Sequence, residues 1–153
     1  MLISITFNLQ LANGADLDLG KSITIGNGPK TVIEFTDPDC PFCRKASKYF
    51  EERSDVTRHV FFFPLPRHVK AKEKTQFVLS QSDKANAYRA IMSGRMDNVQ
   101  KLEGITAKGV KQQEEQLEIA KKHKVDSTPT FMINGRVIVG FDQKKIEEAL
   151  GPK

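Results

Sequence analysis

The period of the apolar pattern changes abruptly at residue 37, and that change limits the possible folds more than any other feature of the chain. "TVIEFT", residues 31–36, is β-branched and aromatic and reads as a central strand. Asp37-Pro38-Asp39 ends it. From Cys40 to about Arg53, the residues Phe42, Ala46, Tyr49 and Phe50 fall at helical spacing and predict a helix with one apolar stripe. "VTRHVFFFPLP" then returns to a strand, stopped by Pro64 and Pro66. The chain therefore contains a βαβ unit, and the change from strand to helix falls at its first cysteine.

The C-terminal end supplies a second unit. "TFMI" is a strand, Asn134-Gly135 a hairpin turn and "RVIVG" the partner strand; "DQKKIEEAL" is a helix capped by Asp142. Between the two units, residues 67–125 are polar and helical. They predict two short helices with Gly94 as a cap, then a long helix in "GVKQQEEQLEIAKKHKV", whose lysines crowd its last turns. At the start, Ile3, Ile5, Phe7, Leu9 and Leu11 alternate with polar residues, Asn13-Gly14 marks a turn, and Leu17, Leu19, Ile23 and Ile25 continue the alternation. A β-hairpin or two linked strands are expected there. The order β(β)βαβ, helices, ββα defines an α/β chain with a central mixed sheet flanked by helices.

Cys40 and Cys43 are the only cysteines. A bridge between them closes a very short loop and constrains little of the unfolded chain, so chemistry explains the pair better than stability does. Cys40 stands where a helix begins, and the free amides and dipole there favour a thiolate. Cys43 follows one turn later, placed to attack a mixed disulfide formed at Cys40. Pro41 suits the first helical turn. Half of a zinc site, a haem attachment and an inert pair are the alternatives. His59, His68 and His123 lack ligand spacing, and Arg44 stands where a haem-attachment motif would have histidine.

The 153 residues suffice for one core, and no apolar run approaches the roughly 18 to 20 residues of a membrane span. The start lacks the basic region and unbroken apolar core of a signal peptide. The net charge of +5 is scattered among acids, without an arginine-rich block or interleaved aromatics. Nucleic acid is not an expected partner, though the excess leaves room for acidic partners or anionic membranes.

Two separated segments resemble one family. "EFTDPDCPFC" is similar to the active-site turn of thioredoxin-fold proteins, and "VDSTPTFMINGRVIVGFDQKKIEEAL" to their C-terminal half. Within that superfamily, "FTDPDCPFCRK", "FFPLPRH" and "YRAIMSGR" resemble the catalytic domain of periplasmic Dsb-type disulfide isomerases, the DsbC/DsbG group. The resemblance implies a thioredoxin-like fold with a helical insert at about 67–125, a catalytic domain over 29–153 and an N-terminal β extension over 1–28. It implies that Pro129 is cis and faces Cys40, and that Pro41, Phe42, Thr128 and Pro129 shape a groove for a substrate strand. The alternative for Pro129 is a residue that merely begins a strand. It also implies that Glu34, six residues before Cys40, is a buried acid that moves a proton to or from Cys43. The alternative is a glutamate on a partly exposed strand, and the isomerase branch usually lacks an acid at that place.

The activity this implies is disulfide isomerisation or reduction on exported, disulfide-containing proteins, in the periplasm. It would run through a mixed disulfide and use a membrane thiol–disulfide redox partner. No metal or organic cofactor is expected beyond the redox-active Cys40–Cys43 pair. Two other functions are open. One is a dithiol oxidase, or a reductase for a narrow client such as an apocytochrome. The other is a peptide-binding chaperone or metal carrier. The N-terminal dimerisation domain of the family's isomerases and the second disulfide of some members have no counterpart in this sequence. The strand from Ile3 to Leu11 could pair with a second copy through its edge to give a homodimer, or could equally be an outer strand of the monomer's sheet.

Overall fold

A computed structural model describes residues 16–153. The expected first strand, its Asn13-Gly14 turn and any pairing through its edge lie outside the described residues. Among the described residues, five strands form one mixed sheet: β1 (Ile23–Ile25), β2 (Lys30–Thr36), β3 (Val56–Phe62), β4 (Thr130–Ile133) and β5 (Arg136–Val139). Their order is β1-β3-β2-β4-β5, parallel only between β2 and β3. The helices are α1 (Pro41–Glu51), α2 (Ala71–Ser80), α3 (Lys84–Met92), α4 (Ala107–Lys122) and α5 (Gln143–Leu150). The expected insert is α2, α3 and α4.

Alternation along β2 divides the core. Val32 points to the face covered by α1 and α5, where it meets Ala46, Phe50, Phe131 and Ile146. Ile33 and Phe35 point to the other face, where they meet Phe61 of β3 and Ala120 of α4. Cys40 and Cys43 belong to a third cluster with Val60, Phe62, Val78 and Ile91, which ties the active-site turn to α2 and α3. Beyond Thr31, every β2 residue is buried, as expected of a central strand with both faces covered.

The two expected helix caps, one at a start and one at an end, form as the sequence suggests. The Asp142 side chain accepts from Lys145 N, and Gly94 takes φ +80° just beyond α3. Asn134 and Gly135 both have positive φ, as a tight hairpin of this twist requires. The expectation for Leu17 and Leu19 needs correction. They are not in a strand: the Asp18 side chain accepts from Gly20 N and a 3-10 turn forms at Leu19–Lys21. Leu17 is nevertheless buried, so its alternation with polar neighbours reflects a looped chain passing over Phe35 and Phe61.

Helices α2 and α4 cross closely at Gly109. A Cβ there would run into Ser80 Oγ and lie 2.9 Å from Ser80 N and 3.0 Å from Gln76 O. Gly109→Val is expected to cost about 1–3 kcal/mol by overpacking, read as a lower denaturation midpoint at an unchanged slope.

Candidate active site

Cys40 is the N-cap of α1 and Pro41 its first helical residue. The two thiols are free, buried and 3.3 Å apart. Their environments push them in opposite directions. Cys40 is lowered to about 5, chiefly by the hydrogen bond that Cys43 gives it. Burial opposes this, while the amides of Cys43 and Phe42 and a contribution from Thr128 assist it. Cys43 is raised, first by burial and then by that same bond to Cys40. The pair thus holds one proton at neutral pH, on the inner sulfur. The Asp37 amide donates to Cys43 Sγ at 3.4 Å, and Cys40, when protonated, reaches Thr128 O at 3.6 Å.

Of the residues singled out from sequence, Cys40, Cys43 and Thr128 come together. The Thr128–Pro129 bond is cis, and Pro129 O accepts from Gly140 N at 2.8 Å. Pro41 is exposed, and Phe42 is 56% exposed with Lys45 over its ring. Glu34 is fully buried, so its strand is not a partly exposed one. It lies on the same face of β2 as Thr36, whose hydroxyl borders both the Glu34 carboxyl and the Cys43 thiol. Thr36 Oγ1 and Glu34 Oε1 are both buried without a hydrogen-bond partner.

Three sets of partners have no local signature in the sequence. Arg58 Nη1 donates to Glu34 Oε2 and to the Tyr88 hydroxyl, each at 3.1 Å, and Nη2 donates to Glu51 Oε1 at 3.1 Å. Its guanidinium packs between the rings of Phe50 and Tyr88. Asp37 is fully buried; its carboxylate accepts from Leu65 N at 2.7 Å, His68 Nδ1 at 2.8 Å and Asp39 N at 2.7 Å. Arg44 donates to Pro38 O at 2.7 Å and grips Asp97 in a bidentate pair at 2.7 and 2.8 Å. Lys74 bonds Asp39 and Asp97. The last two sets fasten the active-site turn to the segment after β3 and to the helical insert. The one hint of them in the sequence is a density of aspartates around the cysteines.

Burial raises Glu34, and Arg58 pulls it the other way. For Arg58, burial works against the charge, but Tyr88, Glu34 and Glu51 together hold it cationic. Removing the cation leaves a carboxyl with no counter-charge in the core. Arg58→Met is therefore expected to cost about 3–5 kcal/mol, and Glu34→Gln in that background to restore part of it. Urea unfolding of the single and double variants checks this.

A mixed sheet of this order with a dithiol at the start of its first helix defines the thioredoxin class. Residues 18–151 match the family model of a thioredoxin-like domain, and the chain belongs to that family. A disulfide interchange protein from Neisseria gonorrhoeae is similar, with TM-score 0.71 and 29% identity over 89% of this chain and 100% of that one. The catalytic domain of Proteus mirabilis ScsC gives TM-score 0.63 and 23% identity over 85% and 87% of the two chains. A periplasmic thioredoxin-like protein from Salmonella enterica serovar Typhimurium gives 0.60 and 18% over 90% and 92%. The last two likenesses concern the fold alone. No curated protein matches the chain. Family and dithiol together support thiol–disulfide oxidoreductase chemistry. Among the described residues, no helix is long and apolar enough to cross a membrane.

Proposed function

We propose that the protein exchanges disulfides with exported, disulfide-containing proteins, acting as an isomerase and reductase in the periplasm. The observation that carries this reading is the opposed pair of thiols, one held as thiolate and the other as its proton donor. The Cys40 thiolate attacks one sulfur of the client disulfide. A Cys40–client bond forms, the client S–S bond breaks, and the second client sulfur leaves as a thiolate that takes a proton. Two exits follow. The client's own thiolate can attack the mixed disulfide, which returns Cys40 unchanged and leaves the client rearranged. Alternatively, Cys43 loses its proton and attacks Cys40 Sγ; the Cys40–Cys43 disulfide forms and the client leaves reduced by two electrons.

Glu34 accepts the Cys43 proton in this scheme. Its burial, its unpartnered oxygen and the Thr36 hydroxyl between it and Cys43 support that role. Thr128, Pro129, Pro41 and Phe42 form the surface on which the client strand lies, with Thr128 O beside the reactive sulfur. No metal or organic cofactor enters the scheme, and a membrane thiol–disulfide partner returns the pair to its dithiol state. The likeness to a disulfide interchange protein supports the reaction class.

Reactivation of a scrambled, fully oxidised test protein is the deciding experiment. Wild type is expected to restore its activity and Cys40→Ser to restore none. If wild type restores none while its own pair still cycles between dithiol and disulfide, the isomerase reading fails, and a one-direction oxidase or reductase replaces it.

A further inference from the structure

A cleft of about 720 Å³ runs between α1 and α3 and reaches Pro41, the residue after Cys40. Ser47 and Met92, both buried, are among its lining residues, as is Pro41. Five cationic side chains line it against two carboxylates, Glu51 and Glu52. Two of the five cations are already paired, Arg44 with Asp97 and Arg89 with Glu51. The other three, Lys45, Lys48 and Arg95, are exposed and have no ion-pair partner among the described residues. Residues 1–15 contain no aspartate or glutamate, so they are poorly matched to this surface.

We propose that this cleft docks an acidic stretch of the client polypeptide, flanking the client cysteine that reacts with Cys40. This rests on the exchange function proposed above. The unpaired cations supply the charge match, and the aliphatic stems of the lysines with Pro41 and Met92 supply apolar contact. Pro41 lines the cleft and directly follows Cys40, so a segment docked there holds its cysteine near the reactive thiol. Binding here raises the encounter rate for acidic clients without altering the sulfur chemistry.

The test uses two peptides, hexaglutamate and hexaglutamine, each with one cysteine joined to 2-mercaptoethanol as a disulfide. Bis(2-hydroxyethyl) disulfide measures intrinsic exchange. Wild type is expected to react about tenfold faster with the glutamate peptide at low salt, and the preference to shrink toward unity at about 1 M salt. Lys48→Glu/Arg95→Glu is expected to abolish the preference, whereas Lys121→Glu/Lys122→Glu, which changes the net charge equally at the end of α4, retains it. Equal peptide rates in wild type, or equal losses in the two double variants, overturn the docking proposal while exchange itself stands. If no disulfide reacts, the exchange function fails instead. The cleft is then judged by fluorescence anisotropy of a labelled hexaglutamate peptide carrying serine for cysteine: binding that Lys48→Glu/Arg95→Glu removes supports it, and none overturns it. Loss of binding to phosphatidylglycerol vesicles in that variant, with the peptide preference intact, assigns the cations to a membrane and also overturns the proposal.

Discussion

Alkylation of the reduced protein by iodoacetamide is expected to be nearly flat above pH 6 and to fall about tenfold per pH unit below pH 5. The cause is Cys40, lowered from 9.0 to about 5 by the hydrogen bond from Cys43 and by the amides at the start of α1. At pH 7 this raises its thiolate fraction about a hundredfold over an unperturbed thiol. Intrinsic nucleophilicity falls with thiol pKa, and a Brønsted slope near 0.45 removes about sixtyfold of that gain. Attack is therefore hardly faster; the lasting gain is in Cys40 as a leaving group and in the stability of the dithiol form. Two decades of thiolate stabilisation at pH 7 correspond to about 60 mV for a two-electron couple; thioredoxin's own thiol, near 7, already accounts for about 10 mV of that, so this pair is expected about 50 mV above thioredoxin, near −220 mV. That lies between a dedicated reductant and a strong oxidant, as reversible shuffling requires. A measured value near −120 mV would favour the oxidase alternative, and one near −270 mV a reductase. The sign of the stability change follows from the lowered pKa. The reduced protein's extra stability is complete above pH 9 and is lost as the pH falls through 5. Its margin over the oxidised form is expected to grow by about 1.4 kcal/mol per pH unit across that window. Cys43→Ala removes the largest lowering influence and is expected to move the alkylation midpoint toward neutral.

Features set by neighbours along the chain are legible in the sequence itself. The dithiol at a helix start, the Asn134-Gly135 hairpin and the Asp142 cap each depend on a few adjacent residues, and each has one physical solution. Leu17 and Leu19 show how this fails. Period-2 alternation cannot distinguish a half-buried strand from a loop that drops one side chain into the core, and here the Asp18 bond to Gly20 N decides for the loop. Glu34 is conspicuous because a charge interrupts an apolar strand. Its partner is not, because Arg58 lies 24 residues away in a strand whose Arg58–Val60–Phe62 and Thr57–His59–Phe61 sets alternate equally well. Only the parallel register of β2 on β3, with Glu34 opposite Val60, brings the two charges to one face. Asp37 with His68 and Arg44 with Asp97 are likewise products of chain return, so the dithiol can be read from sequence but the frame holding it cannot.

Cys43→Ser is expected to accumulate a covalent complex with a disulfide-bearing client, seen by mass spectrometry under non-reducing conditions, with release of reduced client slowed by about a thousandfold or more while the client-thiol exit remains. The serine hydroxyl can still donate to Cys40, so the first attack survives, but it cannot displace the client sulfur. Cys40→Ser forms no such complex, because Cys43 is wholly buried and its thiol stays protonated at neutral pH. The same burial governs the wild type. Resolution needs the Cys43 thiolate, whose fraction rises about tenfold per pH unit while its thiol remains mostly protonated. Client release by wild type should thus accelerate from pH 6 to 9, where attack by Cys40 is already flat, and Glu34→Gln should slow release without slowing attack. A release rate as flat as the attack rate would mean that Cys43 is not held protonated. If the two profiles separate as expected, burial of the inner thiol sets the balance between the two exits. A slow Cys43 prolongs the mixed disulfide, giving the client's own thiols time to attack first. Both exits gain thiolate equally until an ordinary client thiol is ionised near about pH 8.5, so isomerisation wins over reduction through the neutral range and loses ground to it only above about pH 9.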